Sequence, residues 1–124
     1  MSRPVRIVLV EDSEAFREAL ELLLGLRPDV EIVASVGDGG EAVAAALAHE
    51  PDVVLMDYRL PGLDGVQATA AVVEAVPGLA VVALTASANE RERAALLDAG
   101  ARACLTKDRE LDEIVDAILE AAAR

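Results

Sequence analysis

Short apolar runs alternate with segments of helical periodicity along the chain. The runs are rich in Val, Ile, Leu and Ala, and runs of this length and composition are typical of β-strands. They predict five strands, at residues 5–10, 31–36, 53–56, 79–84 and 103–106. The third and fourth runs are apolar at consecutive positions, which indicates strands covered on both faces of a parallel sheet. In the second strand, Ile32, Ala34 and Val36 are expected on one face and Val33 on the other.

A helix is predicted after each strand, because capping residues precede segments with apolar residues at helical spacing. Asp38 and Glu41 have the spacing of a capping box. The predicted helices run from the cap Ser13 to about Leu26, from Asp38 to His49, from Asp64 to about Val76, from Ser87 or Asn89 to Ala99, and over about 109–122. Five consecutive βα units predict an α/β fold, with a parallel sheet between two layers of helices.

The 124 residues, 54% of them hydrophobic, suit one compact domain over residues 1–124. No apolar run approaches the ~20 residues that span a bilayer, and the N-terminus does not resemble a signal peptide, so a cytoplasmic protein is expected. The single cysteine, Cys104, excludes an internal disulfide and a cysteine metal cluster. The formal charge of −12 and the 2% aromatic content argue against direct nucleic-acid binding by this domain.

Polar residues stand at the ends of four of the predicted strands. They are Glu11, Asp12, Asp57, Thr85 and Lys107. The carboxyl ends of parallel strands meet at one edge of a sheet, so we expect these side chains to converge. Three converging carboxylates require a cation, and their hard oxygen ligands favour Mg²⁺, with Ca²⁺ or Mn²⁺ as alternatives. Asp57 is then the best candidate nucleophile, while Lys107 and Thr85 are suited to bind phosphoryl oxygens.

Four segments resemble the receiver domain of two-component response regulators. They are VLVEDSEAFREAL, VVLMDYRLPGLDGVQA, LTASAN and GARACLTK, and together they span almost the whole chain. The segment LMDYRLPGLDG is most similar to the NarL/FixJ/LuxR-like subgroup, in which the output domain is a helix-turn-helix DNA-binding module. The resemblance implies a flavodoxin-like, doubly wound (βα)5 fold whose five-stranded parallel sheet has the order 2-1-3-4-5.

The resemblance also implies a role for each residue of the acidic site. Asp57 accepts a phosphoryl group from the histidine of a partner kinase. Asp12 and Asp57 ligate Mg²⁺ directly, the backbone carbonyl of Arg59 is a further ligand, and Glu11 holds the ion through water. Thr85 and the lysine contact the phosphoryl oxygens.

In such a signalling module, phosphorylation shifts the conformation and controls output or self-association, with a homodimer as one result. Activity as an enzyme is not implied, beyond the domain's own phosphoryl transfer and autodephosphorylation. A DNA-binding output domain would lie outside this sequence. The family usually has Tyr or Phe at the position of Cys104. Asp108 follows the lysine where proline is the family pattern, although members of the DNA-binding type often lack that proline too. A thiol cannot make the inward swing of that aromatic ring, so a degenerate receiver that acts by protein interaction alone is the alternative function.

Two other functional classes of protein fit the sequence less well. A phosphatase of the haloacid dehalogenase type requires a second Asp two residues after the nucleophile, where this chain has Arg59. A flavodoxin-like cofactor binder requires a Ser-, Thr- and Gly-rich phosphate loop after the first strand. The segment EDSEAF occupies that place, and its acidic residues would repel a phosphate.

Overall fold

Five parallel strands form one sheet in the order β2-β1-β3-β4-β5, as predicted. The structure is a computed structural model that describes residues 3–87 and 89–123. The strands are β1 (Val5–Val10), β2 (Val30–Val36), β3 (Val53–Asp57), β4 (Ala80–Thr85) and β5 (Ala103–Thr106). The helices are α1 (Glu14–Gly25), α2 (Ala42–His49), α3 (Gly65–Ala75), α4 (Glu90–Ala99) and α5 (Leu111–Ala123). Among the described residues, no helix combines the length and the apolar composition needed to cross a membrane.

Side chains alternate between two buried layers, because successive residues of a strand point to opposite faces of the sheet. Ile7 and Leu9 of β1 pack in the layer that contains the buried residues of α1 and α5. Val8 and Val10 pack in the opposite layer, with α2, α3 and α4. The central strands β3 and β4 are buried at every position, which confirms that both of their faces are covered.

Strand β2 departs from the predicted alternation. Ile7 pairs with Ile32 and the next residue of β1, Val8, pairs with Ala34, so Val33 is an extra residue in β2. Such a bulge reverses the facing of every residue that follows it. Ile32 therefore packs with α1 and α5, whereas Ala34 and Val36 pack on the other face together with Val33. The prediction that Ile32, Ala34 and Val36 share a face was wrong.

The helix caps mostly follow the sequence pattern. The Ser13 hydroxyl accepts from the Phe16 N–H, and Asn89 rather than Ser87 caps α4. Asp64 and Gln67 form a complete capping box at the start of α3. Asp38 differs, because its carboxylate accepts from the Gly40 N–H and caps a short 3-10 helix, Gly39–Glu41, after which α2 begins at Ala42. The predicted capping box at Asp38 is thus a tight turn that precedes the helix.

Two of the predicted site residues are the last residues of their strands and do not lie beyond them. Asp57 ends β3 and pairs with Leu84, and Thr85 ends β4 and pairs with Thr106. Both are therefore fixed by backbone hydrogen bonds of the sheet. Their side chains are buried at its carboxyl edge, where the candidate site lies.

Candidate functional site

Three carboxylates converge at the carboxyl edge of the sheet. One oxygen each from Glu11, Asp12 and Asp57 lies within 4.8 Å of the other two. Glu11 directly follows β1, and its backbone N–H donates to the Val36 carbonyl of β2 at 3.0 Å. Glu11 and Asp57 are 1% and 3% exposed, whereas Asp12 is exposed. The cluster predicted from the strand ends is therefore assembled, and one of its members faces solvent.

Lys107, the only lysine of the chain, lies between the two buried acids. Its Nζ is 2.8 Å from Glu11 Oε1 and 3.1 Å from Asp57 Oδ1. Its backbone N–H donates to the Thr85 carbonyl at 2.8 Å, which fixes the residue next to the end of β4. One ammonium among three carboxylates leaves an excess of negative charge, so the donor set fits a divalent cation that prefers oxygen ligands.

Burial and charge set the acidity of the site. Burial, followed by repulsion from Glu11, raises the pKa of Asp57 from 3.8 to about 6, although the Lys107 ammonium opposes this shift. Burial by itself lowers the pKa of Lys107, but the hydrogen bonds to Glu11 and Asp57 outweigh it, and the pKa of Lys107 is raised overall. At neutral pH, Asp57 is an ionised but poorly solvated carboxylate beside a fully charged amine.

Glu11 is held by several neighbours. The Ser13 N–H donates to Glu11 Oε2 at 2.9 Å, while Oε1 contacts the lysine. The Arg17 guanidinium donates to the Glu11 carbonyl at 2.8 Å. The Phe16 ring lies on the other side of the ammonium, with its centroid 4.6 Å from Lys107 Nζ, a cation–π distance. Phe16 is an apolar residue of α1, and no sequence signal indicated this contact.

The Thr85 hydroxyl is buried but does not donate to the acidic cluster. Its Oγ1 donates to Glu92 Oε1 of α4 at 3.0 Å and accepts from the Ser87 N–H at 3.3 Å. Glu92 was not among the predicted site residues. Its position in the first turn of α4 is typical of an acid that stabilises a helix N-terminus, so the pattern gave no reason to pair it with Thr85.

The loop after Asp57 runs close to the strand it leaves. The Gly65 N–H donates to the Tyr58 carbonyl at 2.8 Å, and a Cβ at Gly65 would lie 2.4 Å from the Asp57 carbonyl oxygen. Arg59 is exposed in this loop, two residues after Asp57. Its backbone carbonyl as a metal ligand stays a prediction.

Cys104 occupies the middle of the edge strand β5. Its side chain is buried, and burial raises the pKa of the thiol. Together with Thr85 and Arg93 it lines a cavity of about 180 Å³ between α4 and β5.

Comparison with known proteins places the chain in one family. The model of the "Response regulator receiver domain" matches residues 7–119. The chain is 38% identical over 126 residues to "Probable transcriptional regulatory protein NarL" of Mycobacterium tuberculosis, covering 98% of this chain and 58% of that protein. It is 36% identical over 115 residues to "Transcriptional regulatory protein LnrK" of Bacillus subtilis, covering 93% and 52%. The chain thus spans about half the length of the curated relatives it matches.

Solved structures agree with the sequence comparison. The signal receiver domain of NarL from Mycobacterium tuberculosis superimposes with a TM-score of 0.93 at 37% identity, with 98% of both chains covered. A two-component response regulator of the LuxR family from Aurantimonas gives a TM-score of 0.91 at 32% identity, covering 97% of this chain and 86% of that one. These relatives confirm the subgroup indicated by LMDYRLPGLDG. With its (βα)5 sheet, its acidic cluster and these matches, the chain belongs to the response regulator receiver domain family.

Proposed function

We propose that this domain is a phosphorylation switch in which Asp57 takes a phosphoryl group from the histidine of a partner kinase, with Mg²⁺ as cofactor. The observation that carries the proposal is the convergence of Asp57 with Glu11, Asp12 and Lys107 at one point of the sheet edge. A buried carboxylate at the end of a fixed strand is positioned as a nucleophile, and its neighbours provide the metal ligands and the cation that a phosphoryl group requires.

The carboxylates differ in how they are suited to hold Mg²⁺. Both oxygens of Glu11 are already engaged, one by Lys107 and the other by the Ser13 N–H. This supports a role for Glu11 through water, with Asp12 and Asp57 as direct ligands and the Arg59 carbonyl as a further one. When bound, the ion neutralises negative charge on the carboxylates and the phosphoryl oxygens.

Phosphoryl transfer then follows from the positions of the protein groups. An Asp57 carboxylate oxygen attacks phosphorus, the bond from phosphorus to the donor's nitrogen breaks, and the imidazole leaves with its electron pair and takes up a proton. The product is an acyl phosphate that carries about −1.5 to −2 charge. The Lys107 ammonium pairs with the phosphoryl oxygens, and the Thr85 hydroxyl donates a hydrogen bond to one of them. The conformations favoured by these new contacts control output or self-association.

We further infer the domain organisation, location and partners of the protein from its family. Residues 1–124 form one receiver domain that acts in the cytoplasm and binds no nucleic acid itself; Met1, Ser2, Ala88 and Arg124 lie outside the described residues. It has no enzymatic activity beyond its own phosphoryl transfer and autodephosphorylation, and it dimerises when phosphorylated. A DNA-binding output domain belongs to the full protein, in keeping with the greater length of the transcriptional regulators that resemble it.

A degenerate receiver that signals through binding alone is the second candidate. It is favoured by one observation, the buried Cys104 where the family usually has an aromatic residue. Such a protein would keep the fold and its interaction surface while phosphorylation had no consequence.

Intact mass after incubation with acetyl phosphate separates the two functions. We expect one phosphoryl adduct that requires Mg²⁺ and is absent in Asp57→Asn. Asp52→Asn is the matched control, because Asp52 precedes the opposite end of the same strand and pairs with Arg3 at 2.8 Å. No adduct on the wild type, together with no response to beryllofluoride and Mg²⁺, would favour the degenerate receiver. Equal labelling of Asp57→Asn would refute the assignment of the phosphoacceptor.

A further inference from the structure

The Thr85 hydroxyl donates its only hydrogen bond to a residue of helix α4. Thr85 is 3% exposed, and its Oγ1 donates to Glu92 Oε1 at 3.0 Å. The Ser87 N–H donates to the same hydroxyl oxygen and leaves the hydroxyl proton directed to Glu92. A hydroxyl has a single proton to donate. Thr85 therefore cannot serve a second acceptor while Glu92 holds this proton.

Helix α4 is attached to the sheet by few contacts. Within Glu90–Ala99, all of which the structure describes, Leu96 is the one buried residue, whereas α5 buries four. The Arg93 guanidinium donates to the Cys104 carbonyl of β5 at 2.9 Å. Full burial within α4 is thus limited to Leu96, while Ala95 and Ala99 are half-buried, and the Thr85–Glu92 hydrogen bond is one of the polar contacts that add to the attachment.

A solvent-open cleft lies between the N-terminal part of α4 and β5. Thr85, Arg93 and Cys104 line this cleft of about 180 Å³, together with exposed residues that include Ser87 and Asn89. Close packing resists displacement of secondary structure, since side chains must be repacked when an element moves. Beside the cleft, the N-terminal part of α4 lacks such close packing against β5, so loss of a polar contact there is expected to change the position of this part of the helix.

We propose that Glu92 is a positioning residue that couples α4 to phosphorylation, because it competes with the phosphoryl group on Asp57 for the one proton of Thr85. This inference rests on the proposed function. When Thr85 donates to a phosphoryl oxygen, one hydrogen bond forms and the bond to Glu92 breaks. The Glu92 carboxylate returns to solvent, and α4 loses one of its attachments. Linkage requires the reverse effect as well: a chain that lacks the Glu92 acceptor binds the phosphoryl group more tightly.

Affinity for beryllofluoride with Mg²⁺, measured by fluoride titration of the intact chain under NMR observation, tests this competition. Glu92→Ala is expected to bind about 5- to 10-fold more tightly than the wild type, the effect of removing about one net hydrogen bond. Glu92→Gln keeps an acceptor oxygen and should remain closer to the wild type. Glu90→Ala is the matched control, because both acids lie in the first turn of α4. We expect this control to stay within about twofold of the wild type, as is usual for an exposed side chain.

A double-mutant cycle with Thr85→Ala identifies the route of the effect. If Glu92 acts through the hydroxyl, Glu92→Ala has no effect on affinity in the Thr85→Ala background. Hydrogen exchange gives a second readout that a merely structural role would not produce. In the wild type, beryllofluoride should speed amide exchange in residues 90–99; in Glu92→Ala, exchange should be fast beforehand and show no further increase.

The outcomes separate this inference from the function on which it rests. If the wild type does not bind beryllofluoride with Mg²⁺, the proposed function fails and the coupling fails with it. If the wild type binds but Glu92→Ala matches Glu90→Ala, the switch stands and the role of Glu92 is refuted. An effect of Glu92→Ala that persists without the Thr85 hydroxyl, or a Glu92→Gln variant as tight as Glu92→Ala, also refutes competition for the proton.

Discussion

Replacement of Asp57 by Asn is expected to stabilise the metal-free domain, although it removes the proposed phosphoacceptor. Asp57 is 3% exposed, and burial together with repulsion from Glu11 raises its pKa from 3.8 to about 6. Asparagine has nearly the same shape, carries no charge, and can still accept a hydrogen bond from Lys107. The substitution therefore removes an unfavourable carboxylate without opening a cavity.

The sign and size of the effect follow from proton linkage. Because the folded-state pKa of Asp57 is higher than its ordinary value of 3.8, the native state binds more protons than the unfolded state between pH 3.8 and about 6. The free energy of unfolding therefore falls as pH rises through this window, and the full cost is present above it. A shift of about two units corresponds to about 3 kcal/mol, which we take as the upper bound of the gain at pH 7.5. At pH 5.0 the expected gain is about half as large.

Urea denaturation in EDTA at pH 5.0 and 7.5 measures these differences. Mg²⁺ should reduce the stability difference between Asp57→Asn and the wild type at pH 7.5, because it binds the native wild type and raises its stability by mass action. Asp52→Asn is the control of opposite sign. The hydrogen bond from Arg3 holds the pKa of Asp52 below its usual range, so Asp52 contributes stability above that range that is lost as the pH falls. Both pH values lie above the ordinary value of 3.8, where this contribution is present almost in full, so replacement of Asp52 should destabilise the protein by about the same amount at pH 5.0 and at pH 7.5.

Two results would refute this reasoning. One is an Asp57→Asn variant that is no more stable than the wild type in EDTA at pH 7.5. The other is a gain of the same size at both pH values, which would mean that the charge of Asp57 is not its source.

Three further substitutions test other parts of the site. Lys107→Ala should lower the free energy of unfolding of the metal-free protein by about 1–3 kcal/mol, because it leaves buried carboxylates without a cation. Thermal unfolding in EDTA measures this change, and an unchanged melting temperature would contradict the prediction. Gly65→Ala should destabilise the protein by more than about 1 kcal/mol and slow phosphorylation, because its Cβ would lie 2.4 Å from the Asp57 carbonyl oxygen. Gly25→Ala is the control: a Cβ there would have no atom within 4 Å, so the melting temperature should be nearly unchanged. Asp12→Ala should weaken Mg²⁺ binding in calorimetry and leave metal-free stability unchanged or higher, and a loss of stability would mean that Asp12 has a structural role.

The order and type of the elements were predictable from the sequence because each signal is local. Apolar runs marked the strands, and Ser13 and Asp64 marked helix starts through contacts within one turn. The bulge at Val33 was not predictable, since the skipped residue is defined only by the pairing of β2 with β1. The tight turn at Asp38 likewise has the letters of a capping box, and its geometry depends on the glycines that follow.

The site shows the same division between local and tertiary information. Topology alone brings strand ends together, which is why Glu11, Asp57 and Lys107 could be predicted to converge. The contact between Thr85 and Glu92 depends instead on how α4 lies against the sheet. The position of a helix depends on packing across the whole layer, and the apolar periodicity of one segment does not predict it.

Stability and function place opposite demands on this sheet edge. The carboxylate that makes Asp57 suitable for phosphorylation is buried beside Glu11 and lowers the stability of the metal-free protein. Lys107 is the only lysine of the chain and is shared between these two acids, so its single charge cannot fully compensate both carboxylates. In the proposed function, a bound cation and a phosphoryl group would add the missing partners in turn, and each new partner would change what Lys107 and Thr85 contact. Under the proposed function, the excess of buried charge in the resting domain is what would allow small ligands to shift its conformation, and variants that remove this excess should gain stability as they lose the switch.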